Sequence, residues 1–303
     1  MNRTIYLPYI AGLIMSSIFG FSFIFIKGAL DIFTPFELLA YRFALATVVL
    51  TLLFALRIIK INYRGKPVRM LLLLSFFQPV CYFISETMSI KYASISETGI
   101  FIAFIPIAVT VLAYFILKEK PYGGQAVFIV ISVFGAVFIV VLSGSFEYRG
   151  DPLGMMFLTG IVLSAGGYNM VVRKYSKVFT SIEITFAMMW TGAVVFNAMH
   201  LVEMLQFGAK ASFMRLFTVE GAVPVLYLGV LSSIGAFFML NYVLSKLTVA
   251  GASVFTQLSS VIGILSGLLI VGETLRWYQA VGGALILTGV FGATYYENKR
   301  IKK

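Results

Sequence analysis

Apolar runs of about 20 residues, long enough to cross a hydrocarbon core, recur along the whole chain and are broken by short polar or turn-forming stretches. Read as helices, they fall near 8–29, 35–57, 68–90, 95–117 and 122–143, then 152–173, 182–204, 223–245, 249–271 and 277–296. The breaks carry turn or charge signals, among them Asp31 to Pro35, Arg64-Gly65-Lys66-Pro67, Lys118 to Pro121 and Gly150-Asp151-Pro152. Only the connection over 205–222 is long. The pattern predicts an all-α integral membrane protein of ten transmembrane helices.

A second pattern lies on the first. Phe101, Glu119, Gln125-Ala126-Val127 and Gly135 recur without a gap, 154 positions later, as Phe255, Glu273, Gln279-Ala280-Val281 and Gly289. Weaker echoes join them: Ser17, Gly20, Phe21 and Lys27 with Ser164, Gly167, Tyr168 and Lys174, Thr34 and Glu37 with Thr180 and Glu183, and Tyr82-Phe83 with Phe237-Phe238. Each half holds five predicted spans, an odd number, so the second half enters the membrane the opposite way round. The expectation is two inverted five-helix repeats around a central cavity, over 1–147 and 148–303.

Composition fixes the solvent. Of 303 residues, 60% are hydrophobic and 12% charged, with a mean hydropathy of +0.98, against about 25% charged in soluble domains. The first run, Pro8 to Ala29, is too long for a signal peptide and lacks a small-residue cleavage pattern. The net charge of +11 is spread between the apolar runs, which argues for orientation signals and against nucleic acid. With the N-terminus in the cytoplasm, 16 of the 23 Lys and Arg residues fall in cytoplasmic segments and five in outer loops, so both termini are expected inside. One cysteine, Cys81, one histidine, His200, and no CxxC or HExxH predict neither an intrachain disulfide nor a metal site. No cofactor is expected, and no P-loop is present.

At Thr34-Pro35-Phe36-Glu37-Leu38 with Arg42, Lys91-Tyr92-Ala93-Ser94-Ile95-Ser96, Pro106 with Glu119, and Glu273, Gln279, Gly283 and Gly289, the chain resembles EamA-type transporters of the drug/metabolite transporter superfamily. The resemblance covers nearly the whole chain and departs from the pattern at Ser260, where the first half has Pro106. It implies a ten-helix bundle of two inverted repeats, with both termini cytoplasmic, in a bacterial or archaeal plasma membrane. The implied activity is movement of small metabolites, often amino acids or other polar organic solutes, commonly outward.

Charged groups inside a span cost about 2.5–3.5 kcal/mol on insertion scales and usually face a bundle interior. Arg42 lies roughly 12 Å down the second helix and Glu86 roughly 8 Å down the third, from the same side, so the two are expected to meet. Gln78, Tyr82, Glu86 and Ser89 share one helical face, and Ser233, Phe237, Asn241 and Ser245 form its counterpart, with Asn241 at the Glu86 position. Such stripes point to a substrate cavity or to hydrogen bonds between helices. Burial favours a neutral carboxyl and an adjacent guanidinium an ionised one. The Arg42–Glu86 distance therefore separates a proton-coupling carboxylate from a static ion pair.

On the ninth helix Ser253, Gln257 and Ser260 share a face, and Gly263 and Gly267 have helix-packing spacing. Glu183, Trp190 and Asn197 repeat every seven residues on the seventh helix. Trp190 is mid-span, and with Phe21, Tyr82, Tyr168 and Phe238 it is a candidate aromatic wall, with Asn169 beside Tyr168. Each has a plain packing role as its alternative. The expected function is a secondary transporter of a small solute, with protons as a candidate coupling ion. The competing reading is a membrane-embedded enzyme or lipid-handling protein acting on an isoprenoid or lipid, against which stand twelve scattered acidic residues without a metal-diphosphate cluster. A channel is disfavoured for want of a charged ring or a pore-loop filter.

Overall fold

The computed structural model describes residues 3–93, 95–143, 151–207, 213–271 and 274–301, and Glu273 of the repeat lies outside them. Helices account for almost all of this, and among the described residues there is no strand. The helices are α1 (Arg3–Leu30), α2 (Pro35–Ala55), α3 (Arg69–Ser75), α4 (Tyr82–Tyr92), α5 (Ile95–Leu112) and α6 (Gln125–Leu142), then α7 (Pro152–Tyr175), α8 (Ser181–Phe207), α9 (Val219–Leu226), α10 (Phe237–Lys246), α11 (Val249–Ser266) and α12 (Trp277–Ile301). Among the described residues nine helical stretches are long and apolar enough to cross a membrane. The tenth expected span is helical but not among those nine. Its first turn is Trp277-Tyr278-Gln279, its middle is rich in glycine, and it runs on into Glu297-Asn298-Lys299-Arg300, all of which dilute its hydropathy.

Two expected single helices are broken. Between α3 and α4 the chain passes through a π-helical stretch, Phe76–Cys81, in which Gln78 has extended backbone angles (φ −145°, ψ 121°). The residue before a proline avoids the α region, and Pro79 follows Gln78. This corrects the expected stripe: Gln78 does not share a continuous helical face with Tyr82 and Glu86. Between α9 and α10 lies a second π-helical stretch, Tyr227–Ala236. Two more, Ala113–Leu117 and Gly267–Val271, extend α5 and α11 and stand 154 positions apart, the repeat spacing itself.

Matched positions do matched jobs. Thr34 and Glu37 form a capping box at the start of α2, and Thr180 and Glu183 make the same pair of bonds at the start of α8. Gln125 accepts from the Tyr122 backbone N–H at 3.1 Å, and Gln279 accepts from that of Arg276 at 2.9 Å.

Packing between the halves is reciprocal. Helix α1 lies on α10 and α11, while α7 lies on α4 and α5, and α2 pairs with α8, α5 with α11 and α6 with α12. The α6–α12 crossing shows it at residue level. A Cβ at Gly135 would stand 2.6 Å from the Gly282 carbonyl oxygen, and one at Gly289 would stand 2.5 Å from that of Phe128. Adding 154 to 135 and 128 gives 289 and 282, so the two contacts exchange under the repeat shift. Only glycine permits so close an approach of two helix backbones.

Candidate functional site

Two buried polar groups stand out, one joining the halves and one built within the second half. The first is built on Arg42 of α2, 5% exposed. Its Nε donates to Ser233 Oγ at 2.6 Å and its Nη2 to Ser232 Oγ at 3.2 Å, both serines lying in the π-helical stretch after α9. The guanidinium carbon stands 5.2 Å from the Phe83 ring centroid and 5.6 Å from that of Phe43, within cation–π range. Glu86, on α4, is within coulombic reach of Arg42, yet the two form no ion pair. The carboxylate's hydrogen-bond contact is with Tyr82, whose hydroxyl donates to Oε1 at 3.5 Å, the far limit of such a bond. Arg42 and Glu86 thus share one region without direct contact, while two nitrogens of the guanidinium bond to hydroxyls of the other half.

The second group is built on Asn241 of α10, which is fully buried. Its Oδ1 accepts a short hydrogen bond from the Tyr168 hydroxyl of α7. Its Nδ2 donates to Thr185 Oγ1 of α8 at 3.1 Å and approaches Met188 Sδ at 3.8 Å. The two groups correspond. Asn241 holds the Glu86 position in the repeat, and the spacing of 146 that links Thr34 to Thr180 carries Arg42 onto Met188. An arginine and a carboxylate in one half therefore stand where the other half has a thioether and an amide.

The remaining candidates are distributed differently. Gln78 is buried in the other π-helical stretch. Asn169 turns back on its own helix, donating to the Ala165 carbonyl at 2.7 Å. Gln257, 4% exposed, donates to the Ala103 carbonyl at 2.6 Å. Trp190, 44% exposed, contacts Phe186 one turn back, and Phe238 is 37% exposed while its neighbour Phe237 is buried. Neither Trp190 nor Phe238 joins the two buried groups. Glu183 instead forms an ion pair with Lys66 at 2.6 Å. Sequence reasoning missed Ser232, Thr185 and Met188. The repeat mate of Arg42 would have found Met188, whereas Thr185 matches the apolar Leu39 and Ser232 is signalled only by the π-helical register.

A further polar cluster ties the ends of several helices together. Glu119 Oε1 accepts from Arg173 Nε at 2.7 Å, and its Oε2 accepts from the Val249 backbone N–H at 3.1 Å. Arg173 Nη1 also donates to the carbonyls of Leu244 and Ser245, at 3.2 and 3.3 Å. One carboxylate and one guanidinium thereby join the turn after α5, the end of α7, the end of α10 and the start of α11. On α12 the buried Glu297 accepts from Thr248, through backbone N–H and hydroxyl, and from Gln125 Nε2 at 3.0 Å.

Long apolar helices enclosing buried ionic and amide groups make this a multi-pass membrane protein of transporter type. The chain belongs to the EamA-like transporter family, whose pattern it matches twice, over residues 7–141 and 152–295. It is 36% identical over 296 residues to the uncharacterized transporter YcxC of Bacillus subtilis (strain 168), covering 97% of this chain and 95% of that one. It is 24% identical over 254 residues to the uncharacterized transporter YetK of the same organism, covering 82% and 75%. An uncharacterized transporter of Archaeoglobus fulgidus is 23% identical over 272 residues, covering 90% and 93%. A solved crystal structure matches over the whole of both chains with a TM-score of 0.75 at 16% identity, a likeness of fold alone.

Proposed function

We propose that the protein is a secondary transporter that moves a small polar organic solute, such as an amino acid, by alternating access between two inverted halves, residues 1–147 and 148–303. The observation that supports this most is the exchange of contacts under the repeat shift, Gly135 on Gly282 and Gly289 on Phe128. Contacts that swap in this way are those of an isologous interface, here within one chain. With α12 as the tenth span, the odd count in each half places the two-fold axis in the membrane plane, the geometry in which one half rocks against the other. Both termini are then cytoplasmic.

The solute site in this reading lies between the Arg42–Glu86 region and the Asn241–Tyr168 group. Their unequal chemistry gives a bound solute a preferred orientation. Glu86 is the proposed proton-coupling residue, since it is held by one long contact and no ion pair while Arg42 is engaged elsewhere. Uptake of radiolabelled solutes into proteoliposomes, with and without an imposed pH gradient, tests the reading. Glu86→Gln mimics the protonated carboxyl at nearly constant volume, so it is expected to bind and exchange solute while losing its response to the gradient. Transport that keeps the wild-type gradient dependence in this variant removes Glu86 from coupling, and an absence of solute movement in the wild type removes transport.

A further inference from the structure

An open concavity of about 540 Å³ is walled by Leu117, Glu119, Arg173, Lys174, Lys177 and Lys246. Four cations and one carboxylate face it, and Glu119 is already neutralised by Arg173. The lysines are exposed, and none of the three has a carboxylate partner among the described residues. Lys174 and Lys246 rest beside the rings of Tyr175 and Tyr242, at 5.8 and 5.9 Å, contacts that steady the stems without cancelling charge. Orientation signals account for lysines at the ends of spans, but they do not require three of them to converge from two helix ends around one hollow.

Depth supplies the second argument. The spans Glu97–Leu117, Pro152–Tyr175 and Val219–Lys246 all end at this concavity. It therefore lies where the apolar region gives way to headgroups, a level at which basic pockets between helices meet lipid phosphates. The Glu119–Arg173 pair forms a fixed wall, because both groups are fully bonded to their neighbours. The lysines are left as the mobile contacts.

We infer that this concavity binds a phosphate-bearing anion, through Lys174, Lys177 and Lys246 against the Glu119–Arg173 wall. The phosphate comes either from an anionic lipid headgroup or from solution, and the same cations serve both. This inference is separate from the solute site between the halves and holds whether or not the protein transports.

The test is the melting temperature of the purified full-length protein in detergent. One arm titrates sodium phosphate against sodium chloride at equal ionic strength. The other adds phosphatidylglycerol or phosphatidylcholine to the micelles. A ligand that binds only the folded state raises stability with its concentration. The expected result is a saturating rise in melting temperature with phosphate, with phosphatidylglycerol, or with both, identifying the source. That rise is expected to be lost in the triple variant K174Q/K177Q/K246Q and kept in K60Q/R64Q/R69Q, which removes the same charge from another exposed segment. No rise beyond the sodium chloride and phosphatidylcholine controls overturns the site, and so does an equal loss in both triple variants.

Discussion

Gln257 hydrogen-bonds to the residue that is its own counterpart in the repeat: its Nε2 donates at 2.6 Å to the carbonyl of Ala103, 154 positions earlier. Under the proposed two-fold relation of the halves, a position that touches its own mate lies on the axis. Interhelical hydrogen bonds in membranes average about 0.6 kcal/mol and reach about 1.7. Gln257→Leu is therefore expected to lower stability by about 0.6–1.7 kcal/mol, read as a fall in detergent melting temperature. An unchanged or raised value would mean that this contact contributes nothing to joining α5 and α11.

The glycines of the α6–α12 crossing make a sharper contrast. Gly135→Ala and Gly289→Ala each force a methyl group against backbone, and overpacking of this kind costs about 1–3 kcal/mol. Gly283, on the same helix α12, has no atom within 4 Å of its would-be Cβ. Gly283→Ala is expected to be neutral or to stabilise by up to about 1 kcal/mol through helix propensity. Thermal melts of the three variants side by side decide it.

Asn241 satisfies two hydroxyls at once, those of Tyr168 and Thr185. Asn241→Leu leaves the Tyr168 hydroxyl with only the weak acceptor Met188 Sδ, at 3.3 Å, while Thr185 keeps its bond to the Ser181 carbonyl, so the cost is about 1–3 kcal/mol for the tyrosine alone. The variant is expected to express poorly and melt early, whereas Asn241→Asp is expected to retain the bond from Tyr168. Comparable loss in both variants would point to packing in place of hydrogen bonding.

Arg42 reaches two serines through two different nitrogens of one planar fork. A lysine presents a single point charge and cannot reproduce that pattern. Arg42→Lys is accordingly expected to behave like Arg42→Gln, with lower stability and loss of the proposed solute transport. Wild-type transport in Arg42→Lys would show that only the positive charge matters.

The Glu119–Arg173 pair suits a double-mutant cycle, because both partners are only partly exposed and share a network. Coupling in such networks runs about 0.5–3 kcal/mol, and the remaining exposure of both side chains argues for the lower end of that range. Glu119→Gln, Arg173→Gln and the double variant, melted in parallel, yield the number. Strict additivity would mean that each residue acts on the backbone groups alone.

Much of this architecture was legible in the chain. Helix positions followed from apolar length, and the matched roles of Gln125 with Gln279 and of Thr34–Glu37 with Thr180–Glu183 followed from the repeat. The polar stripes were only half readable. Spacing of four keeps side chains on one face only while the helix stays regular, and one residue added to a turn rotates everything beyond it by about 100°. The π-helical stretches at Phe76–Cys81 and Tyr227–Ala236 do this, carrying Gln78 off the Tyr82–Glu86 face and bringing Ser232 beside Ser233 on Arg42. Pro79 was the visible sign of the first break, and the second has no comparable residue at its start. The seven-residue period of Glu183, Trp190 and Asn197 gives them no shared partner: side chains aligned along a helix still meet different neighbours at different depths, here Lys66, Phe186 and the Ala40 carbonyl in turn.

The unequal halves bear on ancestry. Two separate copies of residues 1–147 would keep the glycine crossing, but the repeat places Phe77 and Gln78 where Ser232 and Ser233 now stand. Arg42 would lose its pair of hydroxyls, and its mate would be a second arginine in place of Met188, buried with the same charge. In a single chain each half has its own codons, so one half can carry an ionic pair at positions where the other is neutral.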